Sequence, residues 1–415
     1  MISFEMPKPL IQIRNVVQTV AENMMRPVSR EMDENEHQIP WDYIQFMHTA
    51  TKAMGGSALV PDDKPKKKDP DKPKRPPINY QRLMAMVEML SWGDAGIYLC
   101  TPGGMLGVAA VAAAGTPEQK KRFLSRFQGK EPVFDAMAMT EPQAGSDTSA
   151  IRTTAVLDEE TNEWILNGEK IFVTAGHKAL EDSEGFIVVW ASIDLDAGRA
   201  GIRSFVIEAG TPGCKVTKLE EKLGIRASDT ASIVLQDCRI PFENILGSPT
   251  IEKSTKGYKG AMETFDATRP IVAASALGVA RAALEFVKDR YSQQGLEIRY
   301  GHPRHQLSSW EREVIKMETD LRAAWLLTVK AVWMADNKKT NALEASMSKV
   351  KAGKVATDIT QKAVELMGPL GYSREFLLEK WLRDAKINDI FEGTGQINKL
   401  IVARNILGYR GSQLR

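Results

Sequence analysis

Near the start of the chain, apolar residues return every three or four positions, at Ile13, Val17, Val20 and Met24. That spacing predicts an amphipathic helix. Pro27 ends or bends it, because proline has no N–H to donate and crowds the preceding turn. A second short helix is expected over 41–54, entered through Pro40. Helix-like apolar sequence resumes over 80–113, interrupted at Pro102-Gly103-Gly104. Thr116-Pro117-Glu118-Gln119 combines an N-cap threonine, a proline at the first helical position and a glutamine three residues after the cap. A helix should start there and stop at Gly129.

Around residue 132 the period changes. The segments 151–156 and 163–166 are short and separated by the turn-forming run 158–162. Asn167-Gly168 reads as a second hairpin turn leading into 170–174. Continuous apolar strands are expected over 186–193 and 201–208, and shorter ones over 232–235 and 238–240. Short strands with closely spaced turns predict a small antiparallel β domain, a sandwich or barrel.

From about residue 256 the helical period returns. Val272, Ala276, Val279, Ala283 and Phe286 form one stripe, and Val314, Met317, Leu321, Trp325 and Val332 another. A third helix is expected over 340–367 and a last one over 394–407, together an up-down bundle. The whole chain therefore reads as an α+β multidomain protein. It divides into an N-terminal helical domain (1–131), a middle antiparallel β domain (132–247) and a C-terminal four-helix bundle (248–415).

Composition changes this picture little. The chain has 415 residues, 43% hydrophobic and 26% charged, with a net charge of +2. That balance gives no argument for nucleic acid or membrane attraction. No signal-peptide pattern and no membrane-spanning run is read, which with three cysteines of no metal-type spacing gives a cytoplasmic expectation and no metal site. One stretch stands apart. Residues 61–77 are rich in lysine and proline, have no apolar period and read as a solvated basic insertion.

Chemistry enters near the C-terminus. Glu392 lies between Phe391 and Gly393, just before apolar positions Ile397, Leu400 and Ile401 at helical spacing. A carboxylate on a short loop pinned by a helix is well placed to act as a general base. Far upstream runs Ala138-Met139-Thr140-Glu141-Pro142-Gln143-Ala144-Gly145-Ser146-Asp147-Thr148-Ser149-Ala150. Downstream, Glu365, Gly368, Gly371-Tyr372, Glu375, Lys380 and Asp384 form a second patterned run. In these runs the sequence resembles the acyl-CoA dehydrogenase family of flavoenzymes. It departs at Pro369, where the family usually has a second glycine, and at the 61–77 insertion, where a short glycine-rich loop is usual.

The resemblance implies FAD-dependent α,β-dehydrogenation of an acyl-CoA thioester. Glu392 would take the α-proton, and its backbone N–H would help polarise the thioester carbonyl. Such chemistry needs a hydride acceptor that no side chain supplies, and no Gly-x-Gly-x-x-Gly follows a strand to hold a nicotinamide cofactor. Some relatives carry the base on an earlier helix, where Phe265-Asp266-Ala267-Thr268-Arg269-Pro270 has Thr268 instead. Arg269 becomes a catalytic candidate, and Ser146, Asp266, Arg269 and Gly393 become substrate-binding candidates. The FAD candidates are Met137, Met139, Thr140, Gly145, Ser146, Phe172, Val173, Thr174, Thr394 and Gln396. Arg299 or Arg304, with Gln306, would meet the pyrophosphate, and Glu365 and Gly368 would meet a neighbouring subunit's FAD. A homotetramer and an electron-transferring flavoprotein as electron acceptor are implied as partners. The alternatives are an oxygen-using oxidase and a catalytically silent FAD- or CoA-binding subunit.

Overall fold

The structure is a computed structural model describing residues 6–53, 77–251, 256–409 and Gln413, with the backbone alone for 256–265. Apart from Pro77, the basic insertion lies outside the described residues.

The N-terminal helices are α1 (Lys8–Val20), α2 (Ser29–Glu34), α3 (Trp41–Ala53), α4 (Asn79–Gly93), α5 (Ala95–Tyr98), α6 (Leu106–Ala114) and α7 (Pro117–Leu124). Pro27 bends the first element without ending it. Between α1 and α2 the chain loosens into a π turn over Ala21–Met25, then tightens into a 3-10 turn over Arg26–Val28. A missing N–H is absorbed by changing the pitch. The capping box at Thr116 and Gln119 forms with both hydrogen bonds in place. One break escaped the sequence reading. Asp94 is extended, ends α4 and caps α5 by accepting from the Ile97 N–H at 2.9 Å.

The middle region is an eight-stranded sheet. Its strands are β1 (Asp135–Ala138), β2 (Thr154–Asp158), β3 (Glu163–Thr174), β4 (Phe186–Ser192), β5 (Ile202–Glu208), β6 (Cys214–Leu219), β7 (Thr230–Pro241) and β8 (Ile245–Leu246), with the short helix α8 (Gly176–Leu180) after β3. The sheet is mixed. β6-β7-β3-β2 and β4-β5-β8 are antiparallel ladders, while β1 runs parallel to β4 and β2 meets β4 through the single parallel bridge Thr154↔Ser192. The expected hairpin at Asn167-Gly168 is absent. β3 continues through it, with a register shift between Leu166 and Gly168. Gly168 (φ +153°) sits where a Cβ would lie 2.5 Å from the Thr153 hydroxyl, so the glycine serves a bulge and a close approach. The Asn167 side chain is held by Asp237 on β7. β4 is buried at every position, which explains its unbroken apolar run.

The bundle comprises α9 (Lys256–Gln293), α10 (Ser309–Asp336) and α11 (Ala342–Met367), followed by α12 (Pro369–Tyr372), α13 (Leu378–Ala385) and α14 (Gly395–Leu407). α9 packs against α4, α10 and α11. Its segment Asp266–Gln293 is long and apolar enough to cross a membrane, but 72% of the apolar window is buried inside the protein, as in a core helix.

The N-terminal helices and α13 are joined by buried charge. Lys380 Nζ lies 2.8 Å from Asp94 and 2.6 Å from Asp384. Asp384 also accepts from the Ile225 N–H at 2.6 Å, and Ser29 donates to Asp94. Nearby, Arg383 holds Asp33 and Glu379.

Candidate active site

α11 ends the bundle and leads through α13 into a 3-10 turn, Lys386–Asp389. This turn packs on α11 at Gly353, where a Cβ would come within 2.7 Å of the Asn388 carbonyl. Only a residue without a side chain lets the two backbones approach so closely. Ile390 and Phe391 donate back to the Ile387 carbonyl, and the chain then passes through two left-handed residues, Glu392 (φ +57°) and Gly393 (φ +86°). A left-handed glutamate is strained by roughly 1–2 kcal/mol and persists only where its surroundings hold it. Here Thr394 caps α14, and the Gly393 carbonyl accepts from Lys349 Nζ at 2.6 Å and Asn398 Nδ2 at 2.8 Å.

The Glu392 carboxylate lies among bundle side chains. Oε2 accepts from the Thr268 hydroxyl at 3.0 Å. Next to Thr268 in α9, Arg269 is buried and its Nη1 lies 2.7 Å from Asp266 Oδ1. Pro270 follows inside the helix, so the Asp266 carbonyl has no amide donor one turn on. Burial raises the Glu392 pKa above the usual carboxylate value, against the Thr268 hydrogen bond and the positive charges of Arg269 and Lys349. Burial pushes Lys349 down to about 8, against the charges of Asp389 and Glu392. From the N-terminal helices Tyr98 joins the group, its phenol pushed up by burial and by the Glu392 charge. Lys349 and Tyr98 were not among the sequence candidates. Lys349 was findable: it falls on the stripe of Ala345, Ala352, Ala356 and Ile359, the buried face of α11.

A second cluster lies on the sheet. The Thr140 carbonyl accepts from the Ile171 N–H at 2.9 Å, which brings Met137, Met139 and Thr140 beside Phe172, Val173 and Thr174. β3 slips register between Lys170 and Val173, and Phe172 sits in that bulge with φ +57° and 60% of its surface exposed. A strained aromatic turned out of a strand offers an apolar face to a flat ring. Val173 is buried, while Gly145 and Ser146 are exposed on the following loop. That loop is anchored by Glu141, whose carboxylate accepts from Lys170 Nζ (2.6 Å), the Thr153 hydroxyl (2.6 Å), the Arg152 N–H (2.6 Å) and Gln143 Nε2 (2.7 Å). Burial works against the Glu141 charge, but Lys170 and these hydrogen bonds outweigh it and keep the carboxyl below its usual value. Sequence reading quoted Glu141 in its motif and gave it no role. The residues present thus fit a planar cofactor: an exposed aromatic residue, Thr174 two residues on and a fixed loop with a small residue on it.

Residues 136–238 match the acyl-CoA dehydrogenase middle domain and residues 255–407 the acyl-CoA dehydrogenase C-terminal domain. The chain belongs to the acyl-CoA dehydrogenase family. It is 33% identical to an acryloyl-CoA reductase (NADH) of Anaerotignum propionicum, over 97% of this chain and 96% of that one. It is 32% identical to the mitochondrial short-chain specific acyl-CoA dehydrogenase of Rattus norvegicus, over 98% and 92%. Among solved structures it resembles, with a TM-score of 0.79, 30% identity and coverage of 98% and 100%, a chain in a structure of the electron-transferring flavoprotein of Acidaminococcus fermentans. An acyl-CoA dehydrogenase is an oxidoreductase, and the family is one of flavoproteins.

The remaining acyl-CoA dehydrogenase candidates are exposed or tied to other side chains. Arg299 is held by both carboxylate oxygens of Glu311, at 2.9 and 2.7 Å, and by the Gln306 carbonyl. Arg304 is exposed and has no side-chain partner among the described residues. Glu365 is exposed and pairs with Lys362. Gly368, also exposed, ends α11 with φ +54°, and Gln396 is exposed on the first turn of α14.

Proposed function

We propose that this chain is an FAD-dependent acyl-CoA dehydrogenase in which Glu392 exchanges the α-proton of a short acyl-CoA thioester. The observation that carries this reading is a half-buried glutamate on a strained, doubly anchored turn, with one hydroxyl donor on Oε2 and cations nearby. Desolvation raises its basicity, and the Thr268 bond and neighbouring positive charge keep the ionised form accessible. Glu392 Oε2 would accept the α-proton, and the Glu392 backbone N–H would donate to the thioester carbonyl as negative charge develops there. Arg269, fixed by Asp266, would stabilise that charge. Met137, Met139, Thr140, Phe172, Val173 and Thr174 would hold the flavin from the sheet side, with Thr394 and Gln396 on the bundle side. A bound flavin would supply the hydride acceptor.

The same geometry serves the reverse direction, since a base that removes the α-proton must return it. The similarity to an acryloyl-CoA reductase gives that direction weight. The similarity to a chain in an electron-transferring flavoprotein structure supports such a partner, in a cytoplasmic homotetramer of three-domain subunits with boundaries at 131/132 and 247/248. Arg299, Arg304, Gln306, Glu365 and Gly368 would then face a neighbouring subunit.

The experiment is anaerobic mixing of the yellow holoenzyme with a panel of acyl-CoA thioesters from propionyl to octanoyl. Rapid bleaching by a short member is expected. Glu392→Gln should keep its flavin and fail to bleach. Normal bleaching by that variant would remove the assignment.

A further inference from the structure

Two lysines of α11 and α13 are equally buried, yet they differ in what they hold. Lys380 is closed between two carboxylates. Lys349, 1% exposed, donates instead to the neutral Gly393 carbonyl at 2.6 Å. A buried ammonium bonded to a carbonyl lacks a carboxylate in direct contact, and such a charge is costly to hold in place. The groups that face it come from three elements. Asp389 lies on the 3-10 turn, itself 3.6 Å from Lys386, while Glu392 lies on the loop and Arg269 on α9. Glu392 and Asp389 are both half-buried. The position of the cation is fixed by its bond to the residue that follows the base.

We propose that Lys349 is a positioning residue for Glu392: its ammonium clamps the Gly393 carbonyl, which locks the left-handed Glu392-Gly393 turn, and its charge keeps the carboxylate ionised until the α-proton arrives. This rests on Glu392 being the base. The clamp and the charge act together because one atom does both. Asn398 shares the carbonyl but brings no charge, so it can help the first task and not the second. Arg269 adds charge to Glu392 but is turned toward Asp266. Lys349 therefore combines a charge near Glu392 with a bond to the backbone of the residue that follows it.

The test uses the holoenzyme and butyryl-CoA in an anaerobic stopped-flow instrument from pH 5.5 to 9.5. Lys349→Gln keeps a donor of similar length and drops the charge, and Lys349→Met drops both. In each variant the rising limb of the flavin-reduction rate should move to higher pH by about one unit, the usual effect of removing a nearby opposite charge. The rate at the alkaline plateau should recover further in Lys349→Gln than in Lys349→Met. Half-saturation by butyryl-CoA should change little, since neither group is placed on the substrate. A merely structural lysine would lower stability and flavin content without moving the limb. An unchanged limb in Lys349→Gln, beside an inactive Glu392→Gln, overturns this proposal alone. Normal reduction by Glu392→Gln overturns the base assignment and the catalytic half of this proposal with it. A melting-temperature cycle reads the coupling independently of activity. Lys349→Gln should lower Tm more with Glu392 present than in the Glu392→Gln background, and equal losses in both backgrounds overturn the coupling.

Discussion

Lys380 and Lys349 are the same residue type at the same depth, 1% exposed, and their ionisation is driven in opposite directions. At Lys380, burial alone would favour the neutral amine, but Asp384 and Asp94 outweigh it and raise the pKa. At Lys349, burial prevails and the value falls to about 8. The first cluster has a hydrogen-bond partner for each of its charges, and it joins α13 to the N-terminal helices. In the second the lysine bonds a neutral carbonyl and holds the turn of a strained glutamate. The lesson is that burial does not tell a structural ion from a chemical one; the completeness of its partners does.

The largest effect expected from breaking this contrast is at Glu392, the proposed base. Glu392→Gln should lower the rate of flavin reduction by about 10³-fold or more, the upper range for a general base. It should also stabilise the fold, because burial no longer opposes a charge. The sign follows from the raised pKa. Glu392 contributes stability below its unfolded value, near 4.5, and loses it as pH rises through the folded value. Glu392→Gln should therefore gain most against the parent above that window, read as Tm across pH. Lys380→Met should do the reverse. Leaving Asp94 and Asp384 buried without their cation should cost about 3–5 kcal/mol in chemical denaturation, with the surviving folded fraction reducing flavin at a near-normal rate.

Thr268→Val sharpens the comparison on a smaller scale. Its hydroxyl favours the ionised Glu392, so its loss should lift the rising limb of the pH profile by about one unit, or ~1.4 kcal/mol, with little change in Tm. The smallest effect belongs to Asn398→Ala. It removes a second, uncharged donor to the Gly393 carbonyl and should cost about 1 kcal/mol of stability, leaving the pH limb in place.

Much of this architecture could be read from residue order. The change from a helical period to short strands near residue 132, and back near 256, located the three regions. The Thr116 capping box was legible because it depends on local chemistry. What escaped depends on partners far along the chain. Asn167-Gly168 has the composition of a hairpin turn, but Thr153 and Asp237 turn it into a bulge within one strand. β6 went unread because its exposed lysines break the apolar pattern. β1 pairs parallel with β4, which local sequence cannot announce. The sheet cluster and Glu392 belong to motifs, and the buried stripe of α11 marks Lys349, whereas the bonds from Thr268 to Glu392 and from Lys349 to Gly393 required three dimensions.

The seam between α13 and the first helices has a consequence for how the protein is made. Arg383 reaches Asp33 across 350 residues, and Lys380 supplies the cation for Asp94 from the same late helix. While a ribosome is still delivering the bundle, Asp94 has not met its lysine, and Asp33 has Arg30 but not yet Arg383. Their completion is deferred until α13 has been made, and a product truncated ahead of Leu378 would expose that unfinished surface to proteases and aggregation.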